Sequence, residues 1–165
     1  MGNMGFGMRW RQWMKNCIST PEISVLDNGS PTAQFGVERG LLQGEPLSPF
    51  LFNIVLEGLS CLFRKAVELG LLKGATFGKN MVQISHLQFA DDTILFLKPN
   101  LEYLRNAKRI LRCFKLATGL RINFFKSCLV KIGPNVPWNV GWAEAFHCRY
   151  DALPIMYLGL PLGAR

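Results

Sequence analysis

Residues 89–96 read Phe-Ala-Asp-Asp-Thr-Ile-Leu-Phe, two adjacent carboxylates inside an apolar run that begins at Ile84 and ends at Leu97. A carboxylate is costly to desolvate unless it is paired or holds a metal. The run therefore cannot be one continuous buried segment. It has to bring Asp91 and Asp92 to an edge, and two apolar strands around a tight turn at Ala90-Asp91-Asp92 would do so. Along a strand neighbouring side chains point to opposite faces, but at a hairpin tip both can project outward. Hard oxygen ligands on a rigid tip suit Mg²⁺. Two such ions about 3.5–4 Å apart can clamp the attacking and leaving oxygens of a phosphoryl transfer. A surface Asx turn without metal is the commoner use of such a pair, so these two residues alone leave both readings open.

The rest of the chain supplies elements to cover that hairpin. Trp10, Trp13, Met14, Cys17 and Ile18 recur at helical spacing and Pro21 stops the run, which predicts an ordinary packed helix over residues 8–18. Ile23 and Val25 alternate with polar residues before Asn28-Gly29, which predicts a strand, turn and strand from about 22 to 37. Gly40, Gly44, Pro46 and Pro49 punctuate a shaped loop, after which Ser48 can cap a helix that starts at Pro49. Leu51, Ile54, Val55, Leu59, Leu62 and Phe63 are its expected apolar face, and Gly70 and Gly74 its end. Asn100 should cap a further helix that runs to about Thr118 and stops at Gly119, with Leu101, Leu104, Ala107, Leu111 and Phe114 inward. A strand from Leu120 to Ile132 would follow. Helix, hairpin, helix, hairpin, helix, strand is the order of an α+β domain, an antiparallel sheet with helices on one face.

Charge is distributed unevenly. Between Lys98 and Lys131 stand nine basic residues and one acid, Glu102, so the whole net charge of +8 resides there. Arg105, Lys108, Arg109, Arg112 and Lys115 line the polar side of the predicted helix. Such a block fits an anionic partner, nucleic acid before membrane surface, or a merely solvated helix face. The five cysteines are scattered without a Cys-x-x-Cys pair, which predicts buried thiols in a reducing compartment, nucleus or cytoplasm, and argues against zinc. The start lacks the apolar core of a secretory signal. The longest apolar stretch, Leu47 to Phe63, contains Asn53 and Glu57 and reads as a buried amphipathic helix, not a membrane span.

Four segments in order, RGLLQGEPLSPFLFN, FADD, GLRINFFKS and YLGLPLG, resemble the reverse transcriptases of LINE-type (non-LTR) retrotransposons, especially the plant group. The resemblance covers nearly the whole chain, including its MGFG start and the VLDNGSPT hairpin. It implies a polymerase palm fold, with a palm core at about 22–132 and a primer-grip-like segment at about 150–163. It implies that Asp91 and Asp92 are catalytic and hold two Mg²⁺ ions. It places Gln43 and Gly44 against the templating base and incoming nucleotide, with Pro46 shaping that loop, and Lys126 near phosphates. Tyr157 and Gly159 match the hairpin that steadies the primer end. The implied partners are an RNA template, a DNA primer and dNTP.

Three departures bear on activity. The plant pattern usually reads RGLRQGDPLSP, whereas this chain has Leu42 for Arg and Glu45 for Asp. The family also takes a further metal-binding aspartate from a motif upstream of the MGFG segment, and no acid precedes Glu22 here. The chain is accordingly expected to be a single incomplete reverse transcriptase domain, without fingers, first catalytic Asp motif or thumb, and inactive alone. A non-enzymatic retroelement remnant that still binds nucleic acid, and an intron-maturase-type reverse transcriptase, are the alternative readings.

Overall fold

The computed structural model describes residues 1–36, 44–133 and 140–163. The chain divides into two compact units, Met1–Leu51 and Phe52–Arg165.

The first unit opens with a single 3-10 turn, Gly2–Met4, followed by helix α1 (Met8–Ser19). The helix forms where the spacing predicted it, but it is not the packed helix expected, because none of its residues is buried. Trp10 and Met14 are half-buried, while Trp13, Cys17 and Ile18 are exposed. The ring of Phe6 stacks on Trp10 and the Arg9 guanidinium lies 5.0 Å over Trp13, so part of the stripe is satisfied locally. The strands of this unit are two residues long and offer little surface to pack against. They are β1 (Glu22–Ile23), β2 (Leu26–Asp27), β3 (Ser30–Pro31) and β4 (Phe35–Gly36). β2 and β3 form an inner hairpin and β1 and β4 an outer one. At the inner tip Asn28 and Gly29 take φ 48° and 81°, the paired positive values that favour Asn-Gly in a two-residue turn.

Helix α2 (Ser48–Glu68) starts where Ser48-Pro49 predicts. Its C-terminus is a Schellman motif at a left-handed Gly70. The Leu71 amide donates to the Ala66 carbonyl and the Gly70 amide to that of Val67. Within the second unit the buried positions of α2 are Leu56, Leu59, Phe63 and Ala66. Their spacing of three, four and three residues keeps one stripe inward. Leu62, expected inside, lies one residue off that stripe and is exposed.

A hairpin that the sequence did not announce follows, β5 (Ala75–Phe77) with β6 (Val82–Ile84). It adjoins the expected one, β7 (His86–Phe89) with β8 (Asp92–Leu95). Helix α3 (Leu101–Thr118) is bounded as predicted. The Asn100 side chain accepts the Glu102 amide, and left-handed Gly119 donates to the Lys115 carbonyl. Its Leu104, Ala107 and Phe114 are buried. Phe63, Leu59, Leu72, Ala107 and Phe114 form the main core, against which Leu95 and Leu97 pack.

The strand expected over Leu120–Ile132 shrinks to β9 (Cys128–Val130). Asn123 is the reason. Its side chain and carbonyl accept the Lys126 amide, and its carbonyl also takes the Ser127 hydroxyl, so the segment closes into a turn instead of extending. Helix α4 (Val140–Phe146) leads into β10 (Arg149–Asp151), which pairs with β9 in parallel. β11 (Ile155–Tyr157) and β12 (Leu160–Leu162) form the last hairpin. A second, smaller core joins Leu104, Leu129, Ala143 and Phe146.

The α+β class stands, and antiparallel pairing dominates. It is spread over two-stranded ladders among the described residues, where one continuous sheet was expected. Among those residues no helix is long and apolar enough to cross a membrane. The thiols differ from expectation too: Cys17, Cys61, Cys113 and Cys128 are exposed and Cys148 is half-buried. Cys61 sits on the charged flank of α2, beside Glu57 and Arg64. Cys128 and Cys148 are desolvated enough to raise both thiols above the usual value, which disfavours the reactive thiolate.

Candidate functional site

Register decides where the two carboxylates point. Phe89 pairs with Asp92 and Leu87 with Ile94, so these four share one hairpin face; His86, Gln88, Thr93 and Leu95 share the other. The second face is seated on the helices. The His86 ring lies 5.4 Å from that of Phe63, the Ser60 hydroxyl donates to the Gln88 side-chain oxygen at 3.4 Å, and Leu95 joins the main core. Asp92 therefore stands on the face turned away from the helices, beside exposed Phe89 and Leu87.

The expected turn Ala90-Asp91-Asp92 is one residue shorter. Asp92 is the first residue of β8, and Ala90-Asp91 alone form the loop, with Ala90 at φ 48°. Both carboxylates are exposed, not sunk among apolar neighbours. The apolar run is explained by its alternate residues going to the helices. Neither the Asp91 nor the Asp92 carboxylate has a hydrogen bond or ion pair with any described residue. No group of three His, Cys, Asp or Glu able to hold a metal occurs among the described residues.

His86, beneath this tip, carries the seat's pH dependence. Burial, then Arg64, push its pKa below the ordinary 6.5, against a smaller opposing effect of Glu57. The unfolded chain binds the proton more readily, so stability is present above the unfolded value and is lost as pH falls through the folded one. Thermal unfolding followed from pH 8 to pH 5 should show the melting temperature falling below about pH 6.5. His86→Phe should flatten that fall; an unchanged slope would assign it to other groups.

The other predicted residues lie in separate places. Gly44 and Pro46 belong to the first unit, in the turn before α2, and Gly44 has φ 85°, a conformation for which glycine is suited. Gln43 lies outside the described residues, as does Leu42. Lys126 sits exposed in the Asn123 turn. Tyr157 closes the β11–β12 hairpin opposite Leu160, and the loop residues Leu158 and Gly159 have φ 50° and 78°.

The cations of α3 are gathered by a neighbour that the sequence reading missed. Arg105, Lys108, Arg109 and Arg112 line a cleft of about 450 Å³ whose opposite wall is α4, with Trp142 and Phe146. Lys115 is not part of that lining. The Lys108 ammonium donates to the Ala145 carbonyl at 3.2 Å and lies 4.7 Å over the Phe146 ring. Glu102 pairs with Arg109 at 2.9 Å and with Arg105 at 3.6 Å. The signal available was Trp142, Ala143 and Phe146 at helical spacing, overshadowed by the prolines around them.

Comparison with known proteins places these features. The profile of the family described as reverse transcriptase (RNA-dependent DNA polymerase) matches residues 3–162. An uncharacterised mitochondrial protein of Arabidopsis thaliana is 50% identical over 66 residues, 40% of this chain and 54% of that protein. A retrovirus-related Pol polyprotein from a type-1 R2 retrotransposable element of Popillia japonica is 35% identical over 114 residues, 69% of this chain and 15% of its own length. The uncharacterised 149 kDa protein of transposon TX1 of Xenopus laevis is 31% identical over 122 residues, 74% of this chain and 9% of its own. The chain thus spans about half of the first relative and a small part of the two transposon proteins. Since the family match runs through the FADD hairpin and almost end to end, the chain belongs to the reverse transcriptases, of the kind carried by non-LTR retrotransposons.

Proposed function

We propose that this chain forms the palm of an RNA-directed DNA polymerase, in which a DNA primer's 3′-hydroxyl attacks the α-phosphate of a dNTP opposite an RNA template. The observation that carries this reading is the pair of partnerless, exposed carboxylates on one braced hairpin tip. Hard oxygens without protein donors are a set that fits Mg²⁺. Bound ions of this kind neutralise charge on the attacking and leaving oxygens. Asp91 and Asp92 offer their oxygens from a loop and from the adjoining strand, so the tip fixes the direction from which an ion is approached. In the same reading Gln43 and Gly44 contact the base pair being formed, Pro46 stiffens their loop, and Tyr157 and Gly159 hold the primer. Lys126 meets phosphate, and Arg105, Lys108, Arg109, Arg112 and Lys115 contact the nucleic-acid backbone.

Among the described residues no third ligand joins Asp91 and Asp92, and two carboxylates by themselves position an ion loosely. The chain alone is therefore expected to bind metal weakly and to give no template-directed extension. Water-proton relaxation with Mn²⁺, a paramagnetic substitute for Mg²⁺, reads the site directly. Asp91→Asn and Asp92→Asn should each reduce that binding roughly tenfold or more, the scale on which even supporting residues act at metal sites. Binding indifferent to both substitutions would remove the metal role. Extension of a primer on an RNA template by the unaided chain would overturn the expectation of inactivity.

A further inference from the structure

Helix α1 offers a surface that the carboxylate site does not explain. At about 3.6 residues per turn, Trp10, Trp13, Met14, Cys17 and Ile18 share one arc of about 140°. The arc is left in water, because no residue of α1 is buried. Trp10 and Met14 are half-buried, Trp10 under the stacked Phe6 ring, while Trp13 is 53% exposed and Ile18 40%. Met4 and Met8, before the helix and at its start, are exposed as well. Arg9 and Arg11 border the arc on its two sides, and Lys15 stands next beyond Arg11. The Arg9 guanidinium, 5.0 Å over the Trp13 ring, shows how close the charge lies to the apolar face. None of these three cations forms an ion pair among the described residues, and no acid precedes Glu22. The face is thus apolar in the middle and positive along both borders, with no compensating charge nearby in the chain.

We propose that α1 docks the chain on an anionic lipid surface. The helix lies in the plane of the membrane, with Trp13, Cys17 and Ile18 at the upper acyl chains and Arg9, Arg11 and Lys15 at the level of the acidic headgroups. An exposed apolar face and unpaired cations at its borders make opposite demands on water, and an anionic membrane interface meets both at once. Long basic side chains reach the headgroups from the edge of such a face, and tryptophan favours the same depth. At 12 residues α1 is about 18 Å long, short of the roughly 20 residues that span a bilayer, so it lies on the surface and does not cross it. An acidic groove on a protein fits less well. Groove-bound helices are held by apolar anchors three, four and seven residues apart. Trp10, Met14 and Cys17 have that spacing, but the first two are half-buried, which leaves Trp13 and Ile18 as the large exposed residues of the arc. A lipid surface asks for no such register. A second copy of the chain fits less well still, since two such faces would bring like charges together with no acid from residues 1–21 between them. The contact is separate in kind from the metal and nucleic-acid roles of the rest of the chain.

The test is flotation of the whole chain, in EDTA, with vesicles of phosphatidylcholine alone and of phosphatidylcholine mixed with phosphatidylserine at three to one. Binding should require the anionic lipid. Lys15→Gln should weaken it about fivefold, the contribution of one cation near such a surface. Ile18→Asn should weaken it roughly tenfold, the scale of one apolar side chain returned to water. Gln12→Ala, on the polar side of α1, should leave it within about twofold. The α3 cations are attracted to the same vesicles, so depth is read separately. Phosphatidylcholine brominated in its acyl chains should quench the tryptophan fluorescence of the bound chain. Trp13→Phe, which keeps an apolar ring, should still float but lose most of that quenching. Absence of binding, equal binding to neutral vesicles, indifference to both Lys15→Gln and Ile18→Asn, or quenching unchanged by Trp13→Phe would each overturn the proposal. A dimer in sedimentation that Ile18→Asn dissociates would overturn it too, and would assign the face to a second copy. With no divalent ion present, every one of these results leaves the metal reading of Asp91 and Asp92 as it stands.

Discussion

Phe63→Ala should lower the stability of the second unit by about 3–5 kcal/mol, the range for truncating a buried aromatic residue. Phe63 is fully enclosed, at 0% exposure. Its cavity would open among residues of α2, α3 and the β7–β8 hairpin, and a void walled by several elements collapses poorly. Small domains are stable by only about 5–15 kcal/mol, so the loss would leave little in reserve. The effect should reach the functional tip, because the His86 ring lies against Phe63. Urea unfolding of the wild type and the variant measures it through the midpoint at constant m-value. A cost under about 1 kcal/mol would mean that the cluster around Phe63 is not the core of this unit.

Features fixed within a few residues were legible in the sequence. Asn28-Gly29, the Asn100 cap, Gly119 and the Gly70 stop all act through local backbone geometry, and each appears where the residues predict. What was not legible depends on partners distant along the chain. The Leu120–Ile132 segment has the apolar character of a strand, yet Asn123 supplies nearby hydrogen bonds that compete with extension. β5 was missed because Ala75-Thr76-Phe77 is too short to show a period, and its pairing with β6 is what defines it. The stripe on α1 shows the opposite failure, since helical spacing establishes the helix but not a surface to cover it.

The same division runs through the candidate sites. Asp91 and Asp92 stand out by their chemistry, and the apolar run around them was read as two strands that bring both to a hairpin tip. The alternation of β7 and β8 sends one set of side chains to the helices and leaves that tip in water, with a turn one residue shorter than expected. The cations of α3 were found from their clustering. Their convergence with Trp142 was not, because it requires α4, some thirty residues onward, to return against α3.

Gly74→Ala should cost about 1–3 kcal/mol or more, the scale of overpacking where the surroundings cannot yield. The reason is a close approach, not a special φ. A Cβ on residue 74 would stand 2.4 Å from the Ile84 carbonyl oxygen and 2.8 Å from its carbon, both backbone atoms. A flexible side chain could move aside; a strand backbone moves only with its ladder. This is also the place where the two hairpins are tied. The Phe96 amide donates to the Ser85 carbonyl at 2.8 Å, and the Lys98 amide to the Lys73 carbonyl at 2.9 Å. Displacing Ile84 and Ser85 therefore shifts the start of β7 and the exit of β8 together. The hairpin carries Asp91 and Asp92 at its far end, so a shift at its base changes where they stand over the helices. Gly74→Ala should accordingly weaken Mn²⁺ binding at Asp91 and Asp92 while both carboxylates remain, a result that loss of a ligand cannot produce. Gly78→Ala is the comparison. Gly78 is left-handed, at φ 70°, and its Cβ would meet open space, so about 1 kcal/mol of backbone strain is expected there without a push on Ile84. Equal effects of the two substitutions on metal affinity would show that the base of the hairpins does not set the geometry of the tip.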